Sequence, residues 1–116
     1  MSFFFSQGLP GLFAGFLLLH TFCDFPMQGA YLSRQKCRCG AQSRADWIVA
    51  LAAHSIIQAG GVWIVSGSLV LAAIELVLHA IIDTAKCEGH YGLVTDQLLH
   101  IGCKLLYLAA IAAGWL

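Results

Sequence analysis

The sequence predicts an all-α protein, an integral membrane four-helix bundle, and three observations support this. Of its 116 residues 59% are hydrophobic and 10% charged, with a mean hydropathy of +0.80; soluble domains carry about 25% charged residues. The apolar residues gather into four stretches of the roughly 17–25 residues that cross a bilayer core of about 30 Å. Short connections follow the second and third, as in an up-down-up-down bundle. The length suits one transmembrane domain over residues 1–116.

The first helix is expected over about 3–25. Pro10 is tolerated in a first turn, and Pro26 ends the helix. The segment lacks the basic start and small-residue cleavage site of a signal peptide, so it reads as a transmembrane helix. Residues 27–46 form the longest polar loop. A second helix over 47–65 contains Gly60-Gly61, a place for close helix approach or a bend. Ser66-Gly67-Ser68 is a tight turn into a third helix over 69–85, and residues 86–90 lead toward a fourth over 93–115. Trp47, Trp63 and Trp115 mark segment ends, as interfacial belt residues do.

Basic residues orient such a chain. Arg34, Lys36, Arg38 and Arg44 lie in the first loop and Lys86 in the third, while the second loop has none. Those two loops are therefore expected in the cytoplasm, with both termini periplasmic across a bacterial inner membrane. A net charge of zero and no Lys/Arg-rich stripe exclude nucleic acid as a partner. The expected partners are the lipid bilayer and a lipid-linked substrate, with a homo-oligomer left open.

Ionisable residues recur in the apolar stretches four apart: His20 and Asp24, then His54, then Glu75, His79 and Asp83, then Asp96 and His100. Residues four apart share a helix face. Each such group costs at least a few kcal/mol inside a bilayer, so it persists where it is partnered, binds an ion or does chemistry. At about 1.5 Å per residue, all eight fall in the cytoplasmic half of their helices, where they can converge. Imidazole and carboxylate donors together suit zinc first, with iron or manganese as alternatives. The set exceeds the need of one tetrahedral ion, so the surplus either orients histidines or holds a second metal. Asp24, Asp83 and Asp96, near helix ends, have the alternatives of solvation or pairing with Lys86 or Arg34.

The five cysteines cannot all pair internally. Cys23 and Cys103 read as small buried hydrophobes. Cys37, Cys39, Cys87 and His90 offer a structural zinc composition at non-standard spacing, against which free cytosolic thiols are the favoured reading.

The series His20-x-x-x-Asp24-Phe25-x-x-Gln28, Lys36, His54-Ser55, His79-x-x-x-Asp83-x-x-Lys86 and Asp96-Gln97-x-x-His100 resembles a family of small bacterial and phage membrane proteins classed as a domain of unknown function. That resemblance spans nearly the whole chain and implies a helical inner-membrane domain without an activity. His54-Ser55 and the His79–Asp83 run are also loosely similar to membrane-bound metal-dependent hydrolases.

The residues lead to a metal-dependent hydrolase acting on a lipid-linked or membrane-proximal substrate. His20, His54, His79 and His100 are the first metal ligands, joined or oriented by Asp24, Asp83 and Asp96. Glu75, the deepest acid, is the expected general base, because desolvation raises a carboxyl pKa toward neutrality. Lys86 or Lys104 is available for an anionic head group. The alternatives are a proton or metal-ion transporter using the same cluster and a non-enzymatic phage or bacterial accessory protein.

Overall fold

The computed structural model describes residues 3–115. Six helices and no strands occur among them: α1 Phe3–Ser6, α2 Gly8–Asp24, α3 Gly29–Gln35, α4 Arg44–Ser66, α5 Leu69–Cys87 and α6 Leu93–Ala112. The four long helices follow the four apolar stretches. Each of α2 and α5 packs against both α4 and α6, so α2 lies diagonally across from α5. The molecule measures 44 × 23 × 23 Å.

Local chemistry sets the ends. Ser43 caps α4 by accepting from the Asp46 N–H at 3.1 Å. Gly67, at φ +70°, takes the left-handed conformation that ends α4, and Ser68 caps α5 by accepting from Leu71 N–H. At Gly61 a Cβ would lie 3.4 Å from Leu19 Cβ, so this glycine lets α2 approach α4 closely. Two departures from expectation occur. A turn at Gln7 separates the first residues as α1, and the polar loop contains α3, bent 85° from α2.

Two helices, α4 and α6, are long and apolar enough to cross a membrane, and the bent pair α2–α3 makes a third. In α5, the charge-bearing Glu75, Asp83 and Lys86 interrupt the apolar run. The radial distribution is inverted relative to a water-soluble domain. Leu18, Ile56, Val77, Ile81, Leu98 and Leu106 are exposed, whereas more polar than apolar side chains are buried, two lysines among them. Inside, one end of the molecule holds an apolar core of Leu12, Phe16, Val62, Val65 and Leu71. Polar side chains fill the other, next to α3.

A disulfide joins Cys37, just after α3, to Cys87 at the end of α5, with Cα atoms 5.2 Å apart. It corrects the expectation of free thiols and removes two members of the suggested cysteine zinc site. Cys39 is free and exposed, and His90 is exposed. Cys23 and Cys103 are buried and free.

Candidate metal centre

The four-residue spacing places the ionisable residues on the inward faces of α2, α4, α5 and α6. His20, Asp24, His54, Glu75, His79, Asp83, Asp96 and His100 are all buried, with no more than 6% of any of them exposed. Asp83 is their hub. Its Oδ1 lies 3.2 Å from His100 Nε2. Its Oδ2 lies 3.3 Å from both His54 Nε2 and His79 Nε2. Asp24 Oδ1 is 3.2 Å from His54 Nε2 and accepts from Gln58 Nε2, while its Oδ2 accepts from Gln97 Nε2 at 2.7 Å. The Gln97 carbonyl oxygen is hydrogen-bonded to His20 Nε2 at 3.1 Å. Asp96 Oδ1 stands 3.5 Å from His100 Nε2, and Lys86 Nζ is 3.7 Å from Asp96 Oδ2. The His79 and His100 rings stack with centroids 4.2 Å apart.

Three overlapping groups have donor atoms within 4.8 Å of one another: His20, His79 and His100; Asp24, His54, His79 and Asp83; and Asp83, Asp96 and His100. The second group tests whether a cation fits. His54 Nε2 faces His79 Nε2 at 3.1 Å, and one proton satisfies such a contact while carboxylate oxygens crowd the same space. Nitrogen and carboxylate donor atoms thus converge as they do around a cation, with the Lys36 ammonium already on Asp83 Oδ2. Asp96 Oδ1 is buried without a hydrogen-bond partner, an acceptor to spare in the third group. Nitrogen and carboxylate oxygen donors in this ratio suit zinc, iron or manganese.

Glu75 sits to one side of these groups. Oε1 accepts from Lys104 Nζ at 2.7 Å and is hydrogen-bonded to His79 Nδ1 at 3.3 Å. Oε2 accepts from the Tyr107 hydroxyl at 2.6 Å. With both oxygens engaged, the geometry fits a carboxylate that holds the His79 ring in place better than a general base. Lys104 is 1% exposed and committed to Glu75, which removes it as a head-group ligand. Solvation of Asp24, Asp83 and Asp96 gives way to burial, and Arg34 pairs with none of them among the described residues.

Several members escaped the sequence reading. Lys36 reaches in from beyond α3, buried, and its Nζ donates to Asp83 Oδ2 at 2.7 Å. Gln58 and Lys104 stand four residues after His54 and His100, so the same spacing rule marks them. Lys36 and Gln97 belong to the motif series but carried no role. Nothing in the periodicity marked Gln35, which is buried and accepts from the Gln42 N–H at 2.9 Å, fastening the loop.

Fold and site define a helical protein with two or three membrane-compatible helices and a buried His/Asp cluster able to hold metal. The chain belongs to the family described as "Protein of unknown function (DUF3307)", which matches residues 12–114 and so contains every residue of the cluster. No curated protein and no solved structure matches it.

Proposed function

We propose that this protein is a membrane-embedded metal-dependent hydrolase for a lipid-linked or membrane-proximal substrate, and that its centre takes two divalent ions, zinc first among them. One observation carries the reading: the two oxygens of Asp83 face different donor groups, as a bridging carboxylate's do. Asp24, His54, His79 and Asp83 would hold one ion, and Asp83, Asp96 and His100 the other. When bound there, such ions supply a Lewis acid for the scissile oxygen and lower the pKa of water to about 7.

The chain's own residues do the rest. Glu75 fixes the ring of His79 through Nδ1, the arrangement that conserves ligand orientation at many metal sites. Gln97 joins His20 to Asp24 and sets the angle of both. Lys36, buried and donating to Asp83 Oδ2, brings a positive charge to the end of the cluster beside α3 and balances that carboxylate. The apolar exterior supports a bilayer setting; the two basic loops favour a cytoplasmic opening in an inner membrane, while the Cys37–Cys87 bond that joins those loops favours an oxidising compartment. The apolar core beyond Tyr107 counts against a transport path through one copy, because the side chains of Leu12, Phe16, Val62 and Leu71 are apolar.

Elemental analysis of detergent-purified protein tests the proposal. We expect about two equivalents of transition metal, on the two-ion arrangement. Asp83→Ala should remove both ions, since that side chain is 1% exposed and faces both groups. His79→Ala should remove chiefly one. Less than about a tenth of an equivalent in unchelated preparations would sink the metal reading, given the affinity such N/O sites show. With metal retained, hydrolysis of lipid-linked phosphates and esters should stop on chelation and return with zinc.

A further inference from the structure

The outer face of α4 and α5 carries a second feature, remote from the metal ligands in chemistry. A cavity of about 480 Å³ at the start of α4 is lined by Arg38, Ser43, Arg44 and Trp47. Trp47 also lines a second cavity of about 490 Å³, an almost wholly apolar furrow between the two helices walled by Leu51, Ile56, Leu76 and Ile81. Ile56 and Leu76 carry this furrow on into a third cavity reaching Trp63. From Trp47 to Trp63 is sixteen residues, about 24 Å along the helix. Beside Gly60 the furrow is open, since a Cβ there would meet nothing within 4 Å.

A basic basin therefore joins an apolar channel at a tryptophan, and the two halves are complementary to the two halves of one molecule. We propose that this face binds an anionic phospholipid, its phosphate between Arg44 and Arg38 and one acyl chain laid along α4 and α5. Arg44 is exposed and has no ion-pair partner among the described residues. Arg38 pairs with Glu88 at 3.0 Å, yet 65% of its side chain is exposed, which leaves N–H groups for a phosphate. The nearby Asp46 carboxylate accepts from the Ser43 hydroxyl at 2.7 Å. A Lys or Arg near the surface adds about 1 kcal/mol of attraction to anionic lipid, and tryptophan favours the boundary between head groups and chains. The proposal rests only on the membrane setting of the proposed function, not on its metal.

The test uses full-length protein carrying Trp63→Phe and Trp115→Phe, so that Trp47 alone fluoresces, in phosphatidylcholine vesicles. Flotation with the vesicles comes first; failure to float overturns the membrane setting and this site together. With flotation established, acyl-brominated phosphatidylglycerol should quench Trp47 at about a thirtieth of the mole fraction that brominated phosphatidylcholine requires, from two arginines at about 1 kcal/mol each. Arg38→Ala with Arg44→Ala should bring the two lipids to parity, and Ala52→Phe, which fills the furrow at a residue lining it, should weaken quenching by both. Equal quenching in the parent protein, as ordinary boundary lipid would give, overturns the proposal. So does selectivity that survives loss of both arginines. Quenching by neither lipid, with crosslinked dimers, would assign the face to a second copy and overturn it also.

Discussion

Replacing Glu75 by Gln removes one charge from a buried site where three lysine-paired carboxylates and four imidazoles lie together. Glu75 and Lys104 are each 1% exposed, with Nζ and Oε1 2.7 Å apart. The glutamine keeps the shape but offers one acceptor oxygen for three donors, those of Lys104, Tyr107 and His79. Its amide N–H then points at a donor, and the Lys104 ammonium is left buried without a counter-charge. Breaking a buried pair in this way costs about 3–5 kcal/mol. At this chain size the melting temperature should fall by roughly 10–20 °C. Lys104→Met should cost less, because Tyr107 and His79 still serve the carboxylate. The double substitution Glu75→Gln with Lys104→Met should return to within about 2 kcal/mol of the parent, a coupling of at least about 1 kcal/mol. Metal affinity separates a structural partner from an orienting one. It should drop about 10–100-fold with Glu75→Gln and stay low in the double variant, which still has no carboxylate on His79 Nδ1. Thermal unfolding in detergent and chelator competition measure the two quantities. If Glu75→Gln melts within about 3 °C of the parent, a shift worth less than about 1 kcal/mol, or if the double variant recovers metal affinity, this account of Glu75 fails.

Lys36→Met should tighten metal binding, because the ammonium and an ion compete for Asp83 Oδ2. A gain of about tenfold would correspond to 1.4 kcal/mol, and weaker binding in chelator competition would show that Lys36 supports the site rather than competes for it. Cys39, free and exposed, reports sidedness. A membrane-impermeant maleimide should leave it unmodified in intact cells if the basic loops are cytoplasmic. Ready labelling from outside would reverse the orientation and place the Cys37–Cys87 bond in the oxidising compartment, where such bonds persist.

The helices were legible because each is a local object. A run of apolar residues closed by Pro26, by Ser66-Gly67-Ser68 or by Gly89 marks a long helix whatever it packs against. The spacing of His20/Asp24, Glu75/His79/Asp83 and Asp96/His100 likewise marks one face of a helix without knowledge of its neighbours. Depth from a common end then indicated that these faces could meet. The helix α3 stayed hidden because seven polar-to-mixed residues in a basic loop carry no apolar period, and its fold depends on α4, against which it packs.

Sequence alone determined the all-helical character, the four long helices, their approximate ends and the eight histidine and carboxylate positions on their inward faces, since each follows from spacing along one chain segment. Only the tertiary structure decided which donors share an oxygen. It made Asp83 the hub, gave Glu75 to Lys104, Tyr107 and His79, and brought Lys36 in from the loop. It also paired Cys37 with Cys87 across 50 residues of chain. The physical reason is the same in each case. A helix fixes the direction of its own side chains to within a rotamer, but partner choice depends on distances of about 3 Å between segments that no local rule relates.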